Sequence, residues 1–335
     1  MSGLTYTMID TTSLSTAEIY GRVLCELGGD HHEVVGLSAD LAKSTKIGAF
    51  GERFPNRFFN VGIAEQNMFG MAAGMAKCGL VPYVSTFAVF SSMRALDQVH
   101  TDICYQKLNV KIIGTHAGLS FGQAGSTHHC TEDLSIMRSM ANMKVIVPAD
   151  GMATAWAVAA AYETPGPVYI RINRGFDQRL YDSMDHALHI GRAVKLSEGS
   201  DVTIIACGSC VYQAVEAAKI LRADDGITAR VLDMHTIKPI DREAILEAVH
   251  DTRRIITVED HNVIGGLGSA VGEVVAEGGM ACAFQRLGIP DVFSIIGLHE
   301  DLMAHYGIDT NGIVESVRAL MGRDFEENES WEDEV

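Results

Sequence analysis

The sequence predicts an α/β protein of two domains, each built on a mostly parallel sheet flanked by helices. Short β-branched runs alternate along the chain with helix-length runs of small apolar residues, which is typical of parallel sheets covered by helices. The 335 residues suffice for two cores of common size, and 47% of them are of apolar types. The alternation lapses between residues 175 and 200, where charged and turn-forming residues dominate.

The lapse divides the chain into a first domain, a linker and a second domain. We expect these at residues 1–174, 175–200 and 201–323, followed by an acidic, solvated tail over 324–335. Strands of the first domain are expected at 34–38, 57–61, 81–86, 110–115, 144–147 and 168–172. Its helices are expected at 63–77, 91–106, 132–140 and 151–163. Thr131, followed by two acidic residues, is the predicted N-cap of the third of these helices.

The second domain shows the same alternation of strands and helices. Strands are expected at 202–206, 229–232 and 255–258. Helices are expected near 212–221, at 242–249 and from about residue 268.

Charge and composition exclude several classes of partner. Lys and Arg total 26 against 43 Asp and Glu, a net charge of −17 that suits a nucleic-acid backbone poorly. No basic region followed by an apolar run opens the chain, and the longest small-apolar stretch, 152–162, is too short to span a bilayer. Seven cysteines, an odd number, indicate reduced thiols. We expect a soluble cytoplasmic protein that binds neither nucleic acid nor membrane.

Three short motifs are weak when taken alone. Residues 118–122 (GLSFG) match the nucleophile elbow of hydrolases, but a loop follows where the elbow needs a helix. Residues 207–210 (CGSC) fit a redox pair, although packing at a tight turn explains the small residues more simply. Residues 265–272 (GGLGSAVG) lack the third glycine of a dinucleotide-binding loop.

A dense polar cluster follows the strand expected at 110–115. It contains His116, His128, His129 and Cys130, but adjacent histidines do not readily share one ion and no ligand spacing repeats. We therefore expect no metal site in this chain. Two histidines that bracket a glycine-rich loop after a strand are better explained as hydrogen-bonding groups of a substrate pocket.

The segment 59–90 holds a second candidate group. Glu65 begins a helix whose other positions are almost all apolar or small, so it is either a charge at the positive end of the helix dipole or a buried functional acid. Phe87 and Phe90 follow the next strand at a spacing of three. Taken alone, Glu65 is better explained as a charge at the positive end of the helix dipole, and Phe87 and Phe90 as ordinary core residues.

Five segments together, in this order, resemble the C-terminal two-thirds of transketolase. They are FFNVGIAEQNM (58–68), STFAVF (85–90), THAGLSFGQAGSTHH (115–129), EDLSIMRSMANMKVIVPAD (132–150) and HTIKPID (235–241). The resemblance implies a thiamine diphosphate enzyme whose chain supplies the pyrimidine-binding domain and then the transketolase C-terminal-like domain. It is most similar to the second chain of a split transketolase.

The resemblance also implies the cofactor contacts. Thiamine catalysis needs a carboxylic group against a ring nitrogen of the aminopyrimidine, and the position of Glu65 matches that group. Phe87 and Phe90 match the residues that stack the ring, and Asp40 matches a further cofactor contact.

Substrate contacts follow in the same way. His116 and His128 match histidines beside the sugar, with His128 also contributing to catalysis. Arg174 matches the arginine that clamps a substrate phosphate, Arg171 is the alternative because the register there is open, and Ser44 matches a serine near that phosphate.

The family's G-D-G…N motif, which holds Mg²⁺ or Ca²⁺ and the diphosphate, is absent from the sequence. We therefore expect an N-terminal transketolase subunit as partner, in an α2β2 assembly, and no activity from this chain alone. The complex is expected to transfer a two-carbon ketol unit from a ketose phosphate to an aldose phosphate.

Two departures from the family pattern concern the substrate. Ala124 stands where the family has an aspartate that reads a sugar hydroxyl, and Ala17 stands where it has an arginine that assists with phosphate, although Arg22 lies nearby. Losing a hydroxyl-reading group weakens selection for ordinary sugars. We expect an unusual or branched sugar phosphate.

Three alternatives to a transketolase stay open. They are a deoxyxylulose-phosphate synthase-like enzyme, the β subunit of a 2-oxoacid dehydrogenase, and a non-catalytic regulatory relative. Glu65 disfavours the last, because a scaffold has no use for a buried acid that lowers stability.

Overall fold

The predicted fold class is confirmed by the computed structural model, which describes residues 14–175, 177–182 and 188–322. The described chain forms two α/β units, the first built on a seven-stranded sheet and the second on a five-stranded sheet. The predicted acidic tail lies outside the described residues. None of the helices in these described ranges is long and apolar enough to cross a membrane.

The first sheet contains all six strands predicted for the first half of the chain. They are β1 (Val34–Ser38), β2 (Phe58–Asn60), β3 (Val81–Phe87), β4 (Lys111–Thr115), β5 (Lys144–Ile146) and β6 (Val168–Arg171). These strands are parallel and lie in the order β2-β1-β3-β4-β6-β5. The strand beyond β5 comes from the second half of the chain, and it pairs antiparallel to β5.

Helices cover both faces of this sheet. They are α1 (Thr16–Asp30), α2 (Gly48–Arg53), α3 (Glu65–Lys77), α4 (Asp133–Ser139) and α5 (Gly151–Glu163). Helix α1 was not predicted from the sequence, although Ser15 and Glu18 form a capping box at its start. The helix expected at 91–106 is instead two π-helical segments, Phe90–Arg94 and Gln98–Cys104.

The start of α4 corrects one prediction. Thr131 is not the N-cap, because α4 begins at Asp133 and the backbone N–H of Thr131 donates to the carboxylate of Glu132 at 3.0 Å. The backbone N–H of Leu134, in the first turn, donates to Nε2 of His261 at 3.2 Å. This helix is therefore capped from the second half of the chain.

The second sheet has the order β12-β11-β8-β9-β7. Its strands are β7 (Val194–Ser197), β8 (Val202–Ala206), β9 (Ala229–Asp233), β11 (Arg254–Asn262) and β12 (Ala283–Ile289), and β10 (Thr236–Lys238) is the strand that joins the first sheet. All pairings in the second sheet are parallel except that of β7 with β9. The helices are α6 (Cys210–Ile220), α7 (Arg242–Thr252), α8 (Leu267–Gly278), α9 (His299–His305) and α10 (Thr310–Met321).

A buried ion pair joins the two α/β units. Arg171, at the end of β6, is 4% exposed, and its Nε lies 3.0 Å from a carboxylate oxygen of Asp133. Nη2 of Arg171 donates to the carbonyl oxygens of Cys130 at 3.1 Å and Asp260 at 2.7 Å. The carboxylate of Asp260 in turn accepts the N–H of Leu119 at 3.0 Å. Arg171 therefore ties β6, α4, β11 and the loop after β4 together.

Removing this arginine is expected to destabilise the fold strongly. The variant R171M leaves Asp133 buried without its cation, so the free energy of unfolding should fall by about 3–5 kcal/mol. The matched control R174M removes an exposed arginine three residues later and should lower it by no more than about 1 kcal/mol. Guanidinium denaturation measures both variants, and equal losses would contradict the joining role of Arg171.

Candidate active site

The candidate site lies where strands of the first sheet end. Parallel α/β sheets bind ligands beyond the carboxyl ends of their strands. Asp40, Phe87 and His116 lie at or just past the ends of β1, β3 and β4. Asp40 and His116 have positive φ angles of 62° and 59°, and left-handed residues other than glycine concentrate at functional sites.

Glu65 is a buried acid at the first residue of α3. It is 1% exposed, and both of its carboxylate oxygens lie 3.0 Å from Nη1 of Arg94. The hydroxyl of Thr86 donates to the same carboxylate at 3.4 Å. Glu65 is therefore not surrounded by apolar groups alone, because the Arg94 guanidinium contacts its carboxylate.

Arg94 also lies against an aromatic ring. Its guanidinium carbon is 3.8 Å from the ring centroid of Phe90, and the centroids of Phe87 and Phe90 are 5.6 Å apart. A flat nitrogen-bearing group thus stacks on Phe90 while it hydrogen-bonds to Glu65. Arg94 was not among the predicted site residues. Its spacing of four from Phe90, which is one helical turn, was the available signal.

The two predicted substrate histidines lie around the aromatic residues. The ring centroid of His116 is 4.2 Å from that of Phe87, and the ring of His128 lies 6.2 Å from Phe87 and 5.7 Å from Phe90. Phe121 contacts both histidines, with centroids at 5.0 Å and 5.9 Å. His116 and His128 therefore belong to one cluster with the two phenylalanines.

His116 is held in its neutral form. Burial lowers its pKa to about 4, and the positive charges of Arg174 and Lys46 act in the same direction. Its Nδ1 lies 3.1 Å from the hydroxyl of Thr115. At neutral pH the ring is an uncharged hydrogen-bonding group, which suits a sugar hydroxyl.

A cavity of about 630 Å³ opens beside this cluster. Ser44, Phe87, His116 and Arg174, all predicted site residues, line it, as does Lys46. The guanidinium of Arg174 lies 4.7 Å from the ring centroid of Phe121. The structure thus brings the predicted phosphate-binding pair Ser44 and Arg174 to the same cavity as His116.

Two predicted site residues do not line this cavity. Arg171, the alternative phosphate clamp, is buried in the ion pair with Asp133 and does not line the cavity. Asp40 is exposed, and its backbone N–H donates to the side chain of Asn60 at 3.0 Å. Of the two candidate arginines, Arg174 lines the cavity and Arg171 does not.

The weak motifs have structural explanations. Ser120 donates to the carbonyl of Ala117 at 2.6 Å, and a short 3₁₀ turn follows it in place of a helix. Cys207 and Cys210 are buried, and burial raises the pKa of both thiols well above the usual range. Residues 265–272 begin α8, whose first N–H groups donate to the carboxylate of Glu259.

The polar cluster around the loop does not converge on an ion. His129 is buried and its Nε2 lies 3.0 Å from the carbonyl oxygen of Gly122, while Cys130 lies in the core. Within the described ranges, no three His, Cys, Asp or Glu side chains come together as a metal site.

Comparisons with known proteins point to one family. The family profile described as "Transketolase, pyrimidine binding domain" matches residues 12–176, and "Transketolase, C-terminal domain" matches residues 191–313. The chain is 42% identical to a "Putative transketolase C-terminal section" of Methanocaldococcus jannaschii over 306 residues, covering 91% of this chain and 96% of the relative.

A second relative and a solved structure agree. The chain is 39% identical to one of the subunits of an apulose-4-phosphate transketolase of Phocaeicola vulgatus, covering 87% of this chain and 92% of that protein. The solved structure, "Split gene transketolase, inactive beta4 tetramer", matches with a TM-score of 0.83 and 45% identity, over 92% of this chain and 98% of that one.

Proposed function

The chain belongs to the transketolase family, and from that premise we propose that it is the C-terminal subunit of a two-chain transketolase. One observation carries the proposal. The buried carboxylate of Glu65 faces a slot in which a flat nitrogen-bearing group, the Arg94 guanidinium, hydrogen-bonds to the acid and stacks on Phe90. The cation that pairs with Glu65 is itself 45% exposed, so another flat nitrogen-bearing group can take the place of Arg94 without leaving the buried acid unpaired.

Membership of the family implies thiamine diphosphate as the cofactor. The Arg94 guanidinium stands in for the aminopyrimidine, which is also flat and also carries nitrogen atoms that bond to a carboxyl group. Glu65, Phe87 and Phe90 therefore fit that half of the cofactor. When bound, the cofactor supplies an electron-accepting centre that carries the two-carbon unit.

The roles of the protein groups follow from this fit. Glu65 holds a proton against a ring nitrogen, and Phe87 and Phe90 fix the plane of the ring. Arg94 must leave Glu65 before the aminopyrimidine can bind, and its side chain, 45% exposed, is free to move toward solvent. Asp40 stays a proposed contact at the exposed end of β1.

The substrate contacts are proposed in the cavity that Phe87 and His116 line. Neutral His116 hydrogen-bonds to a sugar hydroxyl. His128, which lies against the same phenylalanine, hydrogen-bonds to another and also exchanges a proton with the reacting oxygen. Ser44 and Arg174, which line the same cavity, hold the phosphate. The reaction transfers a ketol unit from a ketose phosphate to an aldose phosphate.

A partner chain is proposed to complete the site. The sequence lacks the G-D-G…N motif. The relative from Phocaeicola vulgatus is named as one subunit of a transketolase, and the matching split-gene structure is described as an inactive tetramer of β chains. We assign the diphosphate, with its Mg²⁺ or Ca²⁺, to an N-terminal subunit in an α2β2 assembly. Cytoplasmic location stays part of this proposal.

The sugar is proposed to differ from the common pentose phosphates. Ala124, half-buried in the 3₁₀ turn before His128, offers no hydrogen-bonding group where the family has aspartate. A relative named for apulose 4-phosphate supports a search beyond xylulose 5-phosphate. A branched or otherwise modified ketose phosphate fits the missing hydroxyl reader.

The role of Glu65 is tested in the assembled enzyme. The variant E65Q keeps the shape of the side chain but cannot hold the proton, so kcat should fall about 10²–10⁴-fold while assembly with the partner is unchanged. Turnover assays and the mass of the complex measure the two effects. The control E247Q changes a carboxylate that is 57% exposed on α7, and equal activity of the two variants would refute the role.

The role of Ala124 is tested with the variant A124D. Restoring a hydroxyl reader should raise the ratio of kcat/KM for xylulose 5-phosphate to kcat/KM for branched ketose phosphates by about 10-fold or more. The control Q123D adds the same charge at the exposed neighbouring residue. Ordinary transketolase rates of the unmodified enzyme on xylulose 5-phosphate would contradict the substrate proposal. Turnover of pyruvate as donor would favour the deoxyxylulose-phosphate synthase-like alternative.

A further inference from the structure

We propose that Lys46 binds the substrate phosphate in this chain. It supplies a positive charge in place of the arginine that the family has at the position of Ala17. The inference rests on the proposed function and names a residue that the family resemblance does not assign. It makes Lys46 a specificity-determining residue for phosphorylated sugars.

Helix α1 has no cation at the position where the family has an arginine. Ala17 is 1% exposed in the first turn of α1, so this position presents only a methyl group to its surroundings. Arg174 is then the single arginine that lines the 630 Å³ cavity among the described residues, and Lys43 and Lys46 are the lysines that line it. One guanidinium neutralises about half of the charge of a phosphate ester dianion, which leaves room for a second cation.

Lys46 reaches the same part of α1 from the loop that follows β1. Its φ angle is 67°, and the loop lies directly on the helix, because a Cβ atom at Gly21 would be 2.5 Å from the carbonyl oxygen of Lys46. Its Nζ lies 3.2 Å from a carboxylate oxygen of Glu18, the residue next to Ala17. The loop thus brings an ammonium group to the first turn of α1, which carries no cation of its own.

Lys46 also shares its cavity with the predicted phosphate residues. Ser44, His116 and Arg174 line the same space as Lys46. The charge of Lys46 contributes, after burial and Arg174, to the lowered pKa of His116. The ammonium group therefore acts on the same volume as the residues proposed to hold the sugar and its phosphate.

The ion pair with Glu18 does not lock Lys46. Glu18 is held independently by the capping box, since the backbone N–H and the hydroxyl of Ser15 donate to its carboxylate at 3.0 Å and 2.9 Å. The side chains of Lys46 and Glu18 are 41% and 36% exposed, and such exposed pairs are weak. A phosphate dianion, which lysine binds as a point charge, can draw Lys46 away while Glu18 stays on the helix.

The test compares K46A with K195A in the assembled enzyme. Lys195 is a matched control, 40% exposed and paired with Glu198 at 2.8 Å in the second sheet. For a ketose phosphate donor, K46A should raise KM about 10- to 100-fold with little change in kcat, and K46R should restore much of the loss. With hydroxypyruvate as donor and glycolaldehyde as acceptor, neither of which carries a phosphate, the KM of K46A should rise far less than it does for the ketose phosphate.

A binding measurement separates this inference from the proposed function. Calorimetry on the full chain with ribose 5-phosphate and with unphosphorylated ribose requires no turnover. Loss of the preference for ribose 5-phosphate in K46A, but not in K195A, supports the inference even if ketol transfer is absent. Equal binding by K46A and K195A, or an equal rise of KM for hydroxypyruvate and for the ketose phosphate in K46A, would overturn it.

Discussion

The buried ion pair of Arg171 and Asp133 is the contact on which the arrangement of the candidate site depends. It holds the end of β6 against the start of α4, and through the carbonyl oxygens of Cys130 and Asp260 it reaches both the active-site loop and β11. The loop carries His116 at one end and His128 near the other. Arg171 therefore helps to position both histidines by holding this loop. Such a pair is expensive to desolvate, and the three further hydrogen bonds to its charges, including that of Tyr169 to Asp133, offset the loss.

The alternation of strands and helices was sufficient to predict the fold class, because parallel strands buried on both faces leave continuous β-branched runs in the sequence. Non-local contacts were not predictable in this way. The strand β10 pairs with β5 across the boundary between the two halves of the chain, and the cap of α4 comes from His261, 127 residues away from Leu134. Neither contact can be recognised from the residues next to it in the sequence. The residues next to α4 therefore pointed to Thr131 as the cap.

The candidate site was predictable as a set of motifs but not as an arrangement. Glu65, Phe87, Phe90, His116 and His128 were named from segments that resemble transketolase, and the described chain brings them together. Arg94 was missed because a lone arginine near a phenylalanine is common in surface helices, and only the fold brings it to a buried acid. The distinction between Arg171 and Arg174 depended on where β6 ends, and strand ends are the least certain part of a sequence-based prediction.

The central claim is that this chain holds one half of an active site that a second chain completes. The most direct measurement is ketol transfer by the purified chain, at fixed thiamine diphosphate and Mg²⁺, as a purified N-terminal transketolase subunit is added. The account predicts negligible turnover without the partner, a linear rise as partner is added, and a plateau at equimolar chains. Turnover by the chain alone equal to that of the mixture, or no turnover at any ratio, would contradict the account.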